Sequence, residues 1–243
     1  MFITHDQFKP KNIRYGFFTK NIPNSKHRYL PHYEGSKQST ESVAKIFGSK
    51  NIALVKQEHT NNVIMVNDYN SYSVADGQIT NKPNIALAVL TADCVPILLA
   101  DEKAGIISTV HAGWRGSRSD IMKNAVEQMR SLGAKNITAI IGPCIKQHCY
   151  EFGGDLYQDF LLESQDNQKF FIPSSKKDHY MFDLPGYVKH KLIALSIEQI
   201  LDIERNTYED EENFFSFRRT THNPQSPMGN LISVIMHGYL MNE

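Results

Sequence analysis

The sequence predicts an α+β fold, a single mixed domain over residues 1–243, and three observations predict it. Short runs rich in Val and Ile recur through the first half of the chain, with the length and branching that favour strands. One strongly amphipathic stretch of helical period lies between two of them. And 243 residues, 41% of them hydrophobic, are enough to bury one sizeable core.

Taken in order, the polar stretch 23–39 reads as a surface loop. Residues 38–48 read as a short helix: Val43, Ala44 and Phe47 share a face, and Gly48 can end it. Strands are expected over 52–55, 63–66, 85–90, 95–99 and 106–110. Residues 119–132 form the clearest helix, because Ile121, Ala125 and Met129 recur every four residues, Met122 and Val126 widen the stripe, and Gly133 closes it. A strand over 137–141 then makes 106–141 a βαβ-like unit. Further helices are expected near 155–162 and after Asp183, a good N-cap with Pro185 in the first turn and Val188, Leu192 and Leu195 behind it. Strands over 214–217 and 231–236 close the chain.

Composition excludes several functions. The 26 basic and 26 acidic side chains balance, so no basic field exists to draw nucleic acid or anionic lipid. The longest apolar stretch, 85–100, is interrupted by Asp93 and Pro96 and is too short to span a bilayer. The first residues lack a basic region followed by an apolar run, so a soluble cytoplasmic protein without membrane partners is expected. Three cysteines, Cys94, Cys144 and Cys149, argue against a disulfide scaffold.

Three possible ligands stand where strands are expected to end: His59, Cys94 and His111. Imidazole and thiolate suit zinc, and three protein ligands leave a fourth position for water, as in catalytic sites. Copper also binds such a donor set. Wide spacing alone marks no site, and each residue has an ordinary reading: Cys94 as a small buried residue, His111 as a hydrogen-bonded loop histidine. Context favours a site. Asp93 sits in an apolar run where an unpaired carboxylate is costly, and is expected to partner the ligands or move a proton.

Gly113-Trp114-Arg115-Gly116 precedes the 119–132 helix. Its glycines allow close backbone approach, and Arg115 could hold a phosphate there; the alternative is an ordinary tight turn. The Pro-Cys-x-x-Cys and His-x-Glu signature of nucleotide deaminases is absent, so Cys144 and Cys149 read as core or pocket-wall residues. In Phe214-Phe215-Ser216-Phe217-Arg218-Arg219, one arginine is expected on an anionic substrate group, against a solvated pair at a strand end. Gln57, Gly113 and Arg218 are assigned to substrate binding, and Asp93, Cys94, His111 and Arg115 to catalysis.

Gln57-Glu58-His59, Thr91-Ala92-Asp93-Cys94-Val95-Pro96, Val110-His111-Ala112-Gly113-Trp114-Arg115-Gly116, Ile141-Gly142-Pro143-Cys144-Ile145, Tyr150-Glu151 and Phe215-Ser216-Phe217-Arg218-Arg219 together resemble the laccase-domain family, also called the YfiH or polyphenol-oxidoreductase family. The resemblance runs in order from Gly16 to Leu231. It implies a four-layer α/β/β/α arrangement with two β-sheets and one zinc held by His59, Cys94 and His111. It also implies phosphorolysis of the purine nucleosides adenosine, inosine and methylthioadenosine, with phosphate as co-substrate, and adenosine deamination in the same pocket. The chain departs from the family after Phe17-Phe18-Thr19, where Lys20-Asn21-Ile22-Pro23 follows, and at Asn206-Thr207, where a cysteine is common. Rival readings are a copper-dependent phenol oxidase, although the ten histidines include no His-x-His pair; a cysteine hydrolase with Cys94 as nucleophile and His111 as base; and a non-catalytic binding domain.

Overall fold

A computed structural model describes residues 1–27, 35–69 and 73–238. In chain order its elements are β1 (Phe2–Ile3), β2 (Ile13–Phe18), α1 (Ser36–Phe47), β3 (Val63–Met65), β4 (Gly77–Thr80), β5 (Ala86–Thr91), β6 (Val95–Asp101), β7 (Ile106–Ala112), α2 (Trp114–Arg118), α3 (Ile121–Ser131), β8 (Thr138–Ile141), β9 (Glu151–Gly153), α4 (Gly154–Glu163), β10 (Phe171–Pro173), β11 (His179–Phe182), α5 (Leu184–Ala194), β12 (Gln199–Asp202), α6 (Phe217–His222) and β13 (Leu231–His237).

Two main sheets lie face to face. One has the order β1-β2-β13-β5, the other β12-β8-β6-β7-β4-β3. Strand alternation sorts each apolar run into layers. In β5, Ala86, Ala88 and Leu90 pack on α1 through Val43, Ala44 and Phe47, while Leu87 turns inward to Tyr15, Phe17, Leu98 and Ile140 between the sheets. In β6, Val95, Ile97 and Leu99 face the other way, onto α3 and α5. Helix, sheet, sheet and helix therefore stack as the four expected layers. Every residue of β5, β6, β7 and β13 is buried, because each of these strands is covered on both faces; that is why they read as continuous apolar runs. A smaller third sheet, β10-β11-β9, packs beside α4. Its aromatic cluster of Tyr157, Phe160, Phe171 and Phe182 has no helical or alternating period in the sequence.

Several sequence-based expectations change. Residues 52–55 are not a strand: Ile52, Ala53 and Val55 are buried, and a single isolated bridge joins Ala53 to Leu87. The 119–132 helix is α3, beginning at Ile121; the expected glycine loop before it carries the short helix α2 from Trp114, and Asp120, at φ 66°, breaks the chain between the two. Residues 214–216 are coil, and Ser216 caps α6 by accepting from the Arg219 N–H; the Phe-x-Phe alternation imitated a strand. Helix α1 begins at Ser36, inside the expected loop; of that loop, 28–34 lies outside the described residues. The βαβ-like unit is split: β7 and β8 both run antiparallel to β6, which lies between them.

Candidate functional site

The site forms where the ends of β5, β6 and β7 meet the loop before β3. His111 is the next-to-last residue of β7 and is buried. Cys94 ends the turn from β5 into β6 and is half-buried. His59, exposed, stands in the loop at φ 59°. The three offer ligand atoms within 4.8 Å of one another. Cys94 Sγ lies 3.9 Å from His59 Nε2, and the two imidazole centroids are 4.7 Å apart.

Asp76 holds this arrangement together. It immediately precedes β4 and is 1% exposed. Its Oδ1 lies 2.7 Å from His111 Nδ1 and accepts from the His59 backbone N–H at 3.0 Å. Its Oδ2 accepts from the Thr60 N–H at 2.6 Å, the Thr60 hydroxyl at 2.8 Å and the Glu58 N–H. A carboxylate only accepts, so His111 Nδ1 carries the proton and its Nε2 lone pair is left for a ligand. Burial pushes the Asp76 carboxyl up, but the bonds from His111 and Thr60 outweigh it and hold it at about 2. The same carboxylate holds the left-handed turn of His59, which a non-glycine residue rarely adopts unaided.

The residues fit a metal ion. Burial resists ionisation of Cys94, yet the neighbouring His111 charge and the bonds from His111 and His59 pull its thiol below the usual range, and a thiolate is the ligating form. His111 is pushed the other way, above its ordinary value, by Cys94 and Asp76 despite burial. A Cβ on Gly113 would meet His59 Cδ2 at 2.9 Å and Cys94 Sγ at 3.0 Å. Only glycine leaves this cradle open, so Gly113 acts through the space it leaves beside the ligands. Helix α2, which it caps, is a single short turn.

A cavity of about 490 Å³ opens over the cluster. Its walls include Trp114, Arg115, Tyr150, Phe152, Phe217 and Arg218. Phe217 is 62% exposed, its ring presented at the cavity rather than packed. Arg115 stacks its guanidinium 4.3 Å over the Trp114 ring. Arg218 lies 5.0 Å over Tyr150 and donates to the Glu151 carbonyl at 3.0 Å. The neighbouring Arg219 turns inward, donating to the carbonyls of Thr207, Tyr208 and Phe214. The two adjacent arginines thus divide: one faces the cavity, the other ties the chain.

Asp93 also lines the cavity, but its carboxylate is occupied. Oδ1 accepts from the Thr207 hydroxyl at 2.7 Å, and Oδ2 from the Ser216 hydroxyl at 2.9 Å and the Arg218 N–H at 2.6 Å. Its own backbone stands at φ 94°, a strained conformation of order 1–3 kcal/mol that those charge-assisted bonds offset. Gln57 lines the wall with its amide engaged at both ends, to the N–H and C=O of Leu90. Cys144 is fully buried and Cys149 nearly so.

Sequence reasoning missed Asp76, which reads as the start of an Asp-Gly turn; the one available signal was an acid directly before a buried β-run. It also missed Tyr150 and Phe152 as cavity walls, since nothing in their local pattern ties them to residues forty positions away.

The family described as multi-copper polyphenol oxidoreductase laccase matches residues 34–238. The chain is similar to the purine nucleoside phosphorylase of Rickettsia prowazekii (strain Madrid E), 38% identical over 218 residues, which cover 87% of this chain and 91% of that protein. It is 37% identical over 231 residues to the one from Rickettsia conorii, covering 93% and 96%. Among solved structures, a Neisseria meningitidis protein superposes with a TM-score of 0.86 at 24% identity, over 98% of this chain and 99% of that one. The Bacillus licheniformis hypothetical protein YfiH gives 0.80 at 25%, over 93% and 92%. These structures support the mixed α+β fold with several sheets.

Proposed function

This chain belongs to the laccase-domain family, and from that premise we propose that it is a metal-dependent purine nucleoside phosphorylase that also deaminates adenosine. The observation that carries the reading is a cavity with aromatic walls and two arginines set directly over a His-Cys-His cluster backed by a buried carboxylate. The names of the Rickettsia relatives point the same way.

Phosphorolysis joins a phosphate oxygen to ribose C1′ and breaks the N-glycosidic bond; the base leaves with the electron pair and takes a proton. A flat purine stacks on the exposed ring of Phe217, with Tyr150 and Phe152 as aromatic walls. Arg115 and Arg218 provide positive charge for the phosphate, and the rings beneath both guanidiniums keep their donor edges directed. His59, Cys94 and His111 would hold the metal, zinc by the softness of the donors, which when bound supplies a Lewis acid for a substrate or water oxygen. Asp76 keeps His111 in the ligating tautomer. Asp93 is a positioning residue in this reading: it fixes the backbone of Arg218 and so the place of the guanidinium, and its occupied oxygens leave proton transfer to other groups. Adenosine, inosine and methylthioadenosine are the substrates proposed, with phosphate as the second.

The test is a nucleoside panel with and without phosphate, following free base and inosine, on wild type and His111→Ala. Phosphate-dependent release of free base that His111→Ala abolishes supports the assignment. No turnover of any nucleoside by metal-loaded wild type, or turnover unchanged in His111→Ala, overturns it.

A further inference from the structure

A second group of unlike ligands lies outside the cavity. His148, Cys149 and Glu209 also bring ligand atoms within 4.8 Å of one another. His148 and Cys149 belong to the short 3-10 turn 147–149 after β8; Glu209 comes from the turn after β12, some sixty residues on. Cys149 is buried, whereas His148 and Glu209 are exposed.

The three share one hydrogen-bonded network. Asn206 Nδ2 lies 2.8 Å from Glu209 Oε2 and 3.5 Å from Cys149 Sγ, while His148 Nε2 lies 2.7 Å from Glu209 Oε1. A nitrogen, a sulfur and a carboxylate from two separate segments thus already face one another across a few ångströms.

We propose that His148, Cys149 and Glu209 form a second divalent-metal site, for zinc or a similar borderline ion. The donor set is one nitrogen, one thiolate and one carboxylate, which suits zinc. Thiolate and carboxylate together carry two negative charges and neutralise a divalent ion. Ligand atoms around tetrahedral zinc stand about 3.3–3.6 Å apart for bonds of about 2.0–2.3 Å, so side-chain rotations would close the group, with Asn206 turning aside and Cys149 releasing its proton. The ion would join turn 147–149 to segment 206–209. The chain next to that segment, Thr207 to Arg218, is the part that Asp93 holds in place beside the cavity. The site would therefore act as a structural clasp.

The proposal stands apart from the reading of the first cluster, and one experiment separates them. Full-length protein is stripped with chelator, reloaded with zinc, dialysed and analysed for bound metal; a parallel cobalt(II) loading reads thiolate charge-transfer absorption. The expected result is two equivalents per chain in wild type and one in Cys149→Ser and in Glu209→Gln, the latter changing only an exposed side chain. His111→Ala should also fall to one, and its remaining cobalt should retain the thiolate band through Cys149. One equivalent in wild type that survives in both Cys149→Ser and Glu209→Gln, or two retained in both variants, overturns the second site. Loss of the nucleoside chemistry alone would leave it standing.

Discussion

Among the described residues, two places gather a histidine, a cysteine and a third possible ligand, and they are built differently. His111 lies in buried strand β7, Cys94 at the entry to β6 and His59 in the loop before β3, with Asp76 accepting from His111 and from the backbone around His59 and Thr60. His148, Cys149 and Glu209 stand on two turns, with the half-buried amide of Asn206 as their shared neighbour. The ligand chemistry is similar; the support is not. A rigid strand end and a buried carboxylate fix ligands before an ion arrives, so little ordering remains to be done on binding. Surface turns must be ordered by the ion itself. The comparison teaches that the groups behind the ligands separate a site suited to reaction from one suited to fastening.

The largest expected effect attacks the first cluster directly. Cys94→Ser or His111→Ala should lower nucleoside turnover at least about a thousandfold, since a catalytic metal is worth several kcal/mol at the transition state. Steady-state rates would show the loss for Cys149→Ser to be far smaller. Comparable losses at both cysteines would erase the distinction between the clusters.

Next comes Asp93→Ala, which orphans the Thr207 and Ser216 hydroxyls and the Arg218 N–H. Denaturant unfolding of the metal-free chain should show a loss of about 3 kcal/mol. Glu209→Ala, at an exposed turn, should stay within about 0.5 kcal/mol in the same assay. KM for phosphate should rise in Asp93→Ala as Arg218 loses its place.

Asp76→Asn sharpens the comparison more finely, because it keeps the shape and removes the charge behind His111. Zinc affinity, measured by chelator competition, should fall by about 10–100-fold. An unchanged affinity would show that the strand ends alone suffice.

The smallest effect is one of pH. The Asp76 carboxyl is depressed in the folded chain, from 3.8 to about 2, so it binds protons more readily unfolded. Its contribution to stability is complete above about pH 4 and disappears as pH falls from about 4 to about 2. The difference in unfolding free energy between metal-free wild type and Asp76→Asn should therefore narrow across that window. Glu209 is also depressed, by His148 and Asn206, but at an exposed site where water screens the interaction; Glu209→Gln should show a weaker pH dependence.

Much of this was legible along the chain. Residues 85–111 announce buried strands because β5, β6 and β7 are covered on both faces and must be apolar throughout. Gly48 and Asp183 marked a helix end and a helix start, and the structure uses both in those roles. His59, Cys94 and His111 were nameable as candidate ligands because their residue types carry the chemistry, and the structure brings their ligand atoms within 4.8 Å of one another. Where the reading failed, local pattern and tertiary use disagree. Phe214-Phe215-Ser216-Phe217 alternates like a strand, yet Asp93 captures Ser216 and the Arg218 N–H, and the chain turns into a helix instead. Residues 52–55 carry strand composition but have no continuous partner at that edge.

By itself the sequence determined the mixed α+β class and which segments are buried, and through its family resemblance it pointed to four layers and to His59, Cys94 and His111 as candidate ligands, because burial period and donor chemistry are properties of single segments and single residues. Only the tertiary structure decided that Asp76 stands behind His111, that Arg218 faces the cavity while Arg219 turns inward, and that Asp93 serves as an anchor. Those roles depend on which distant groups come within hydrogen-bond reach, and a bond of about 3 Å is set by the packing of whole layers, which no short stretch of sequence encodes.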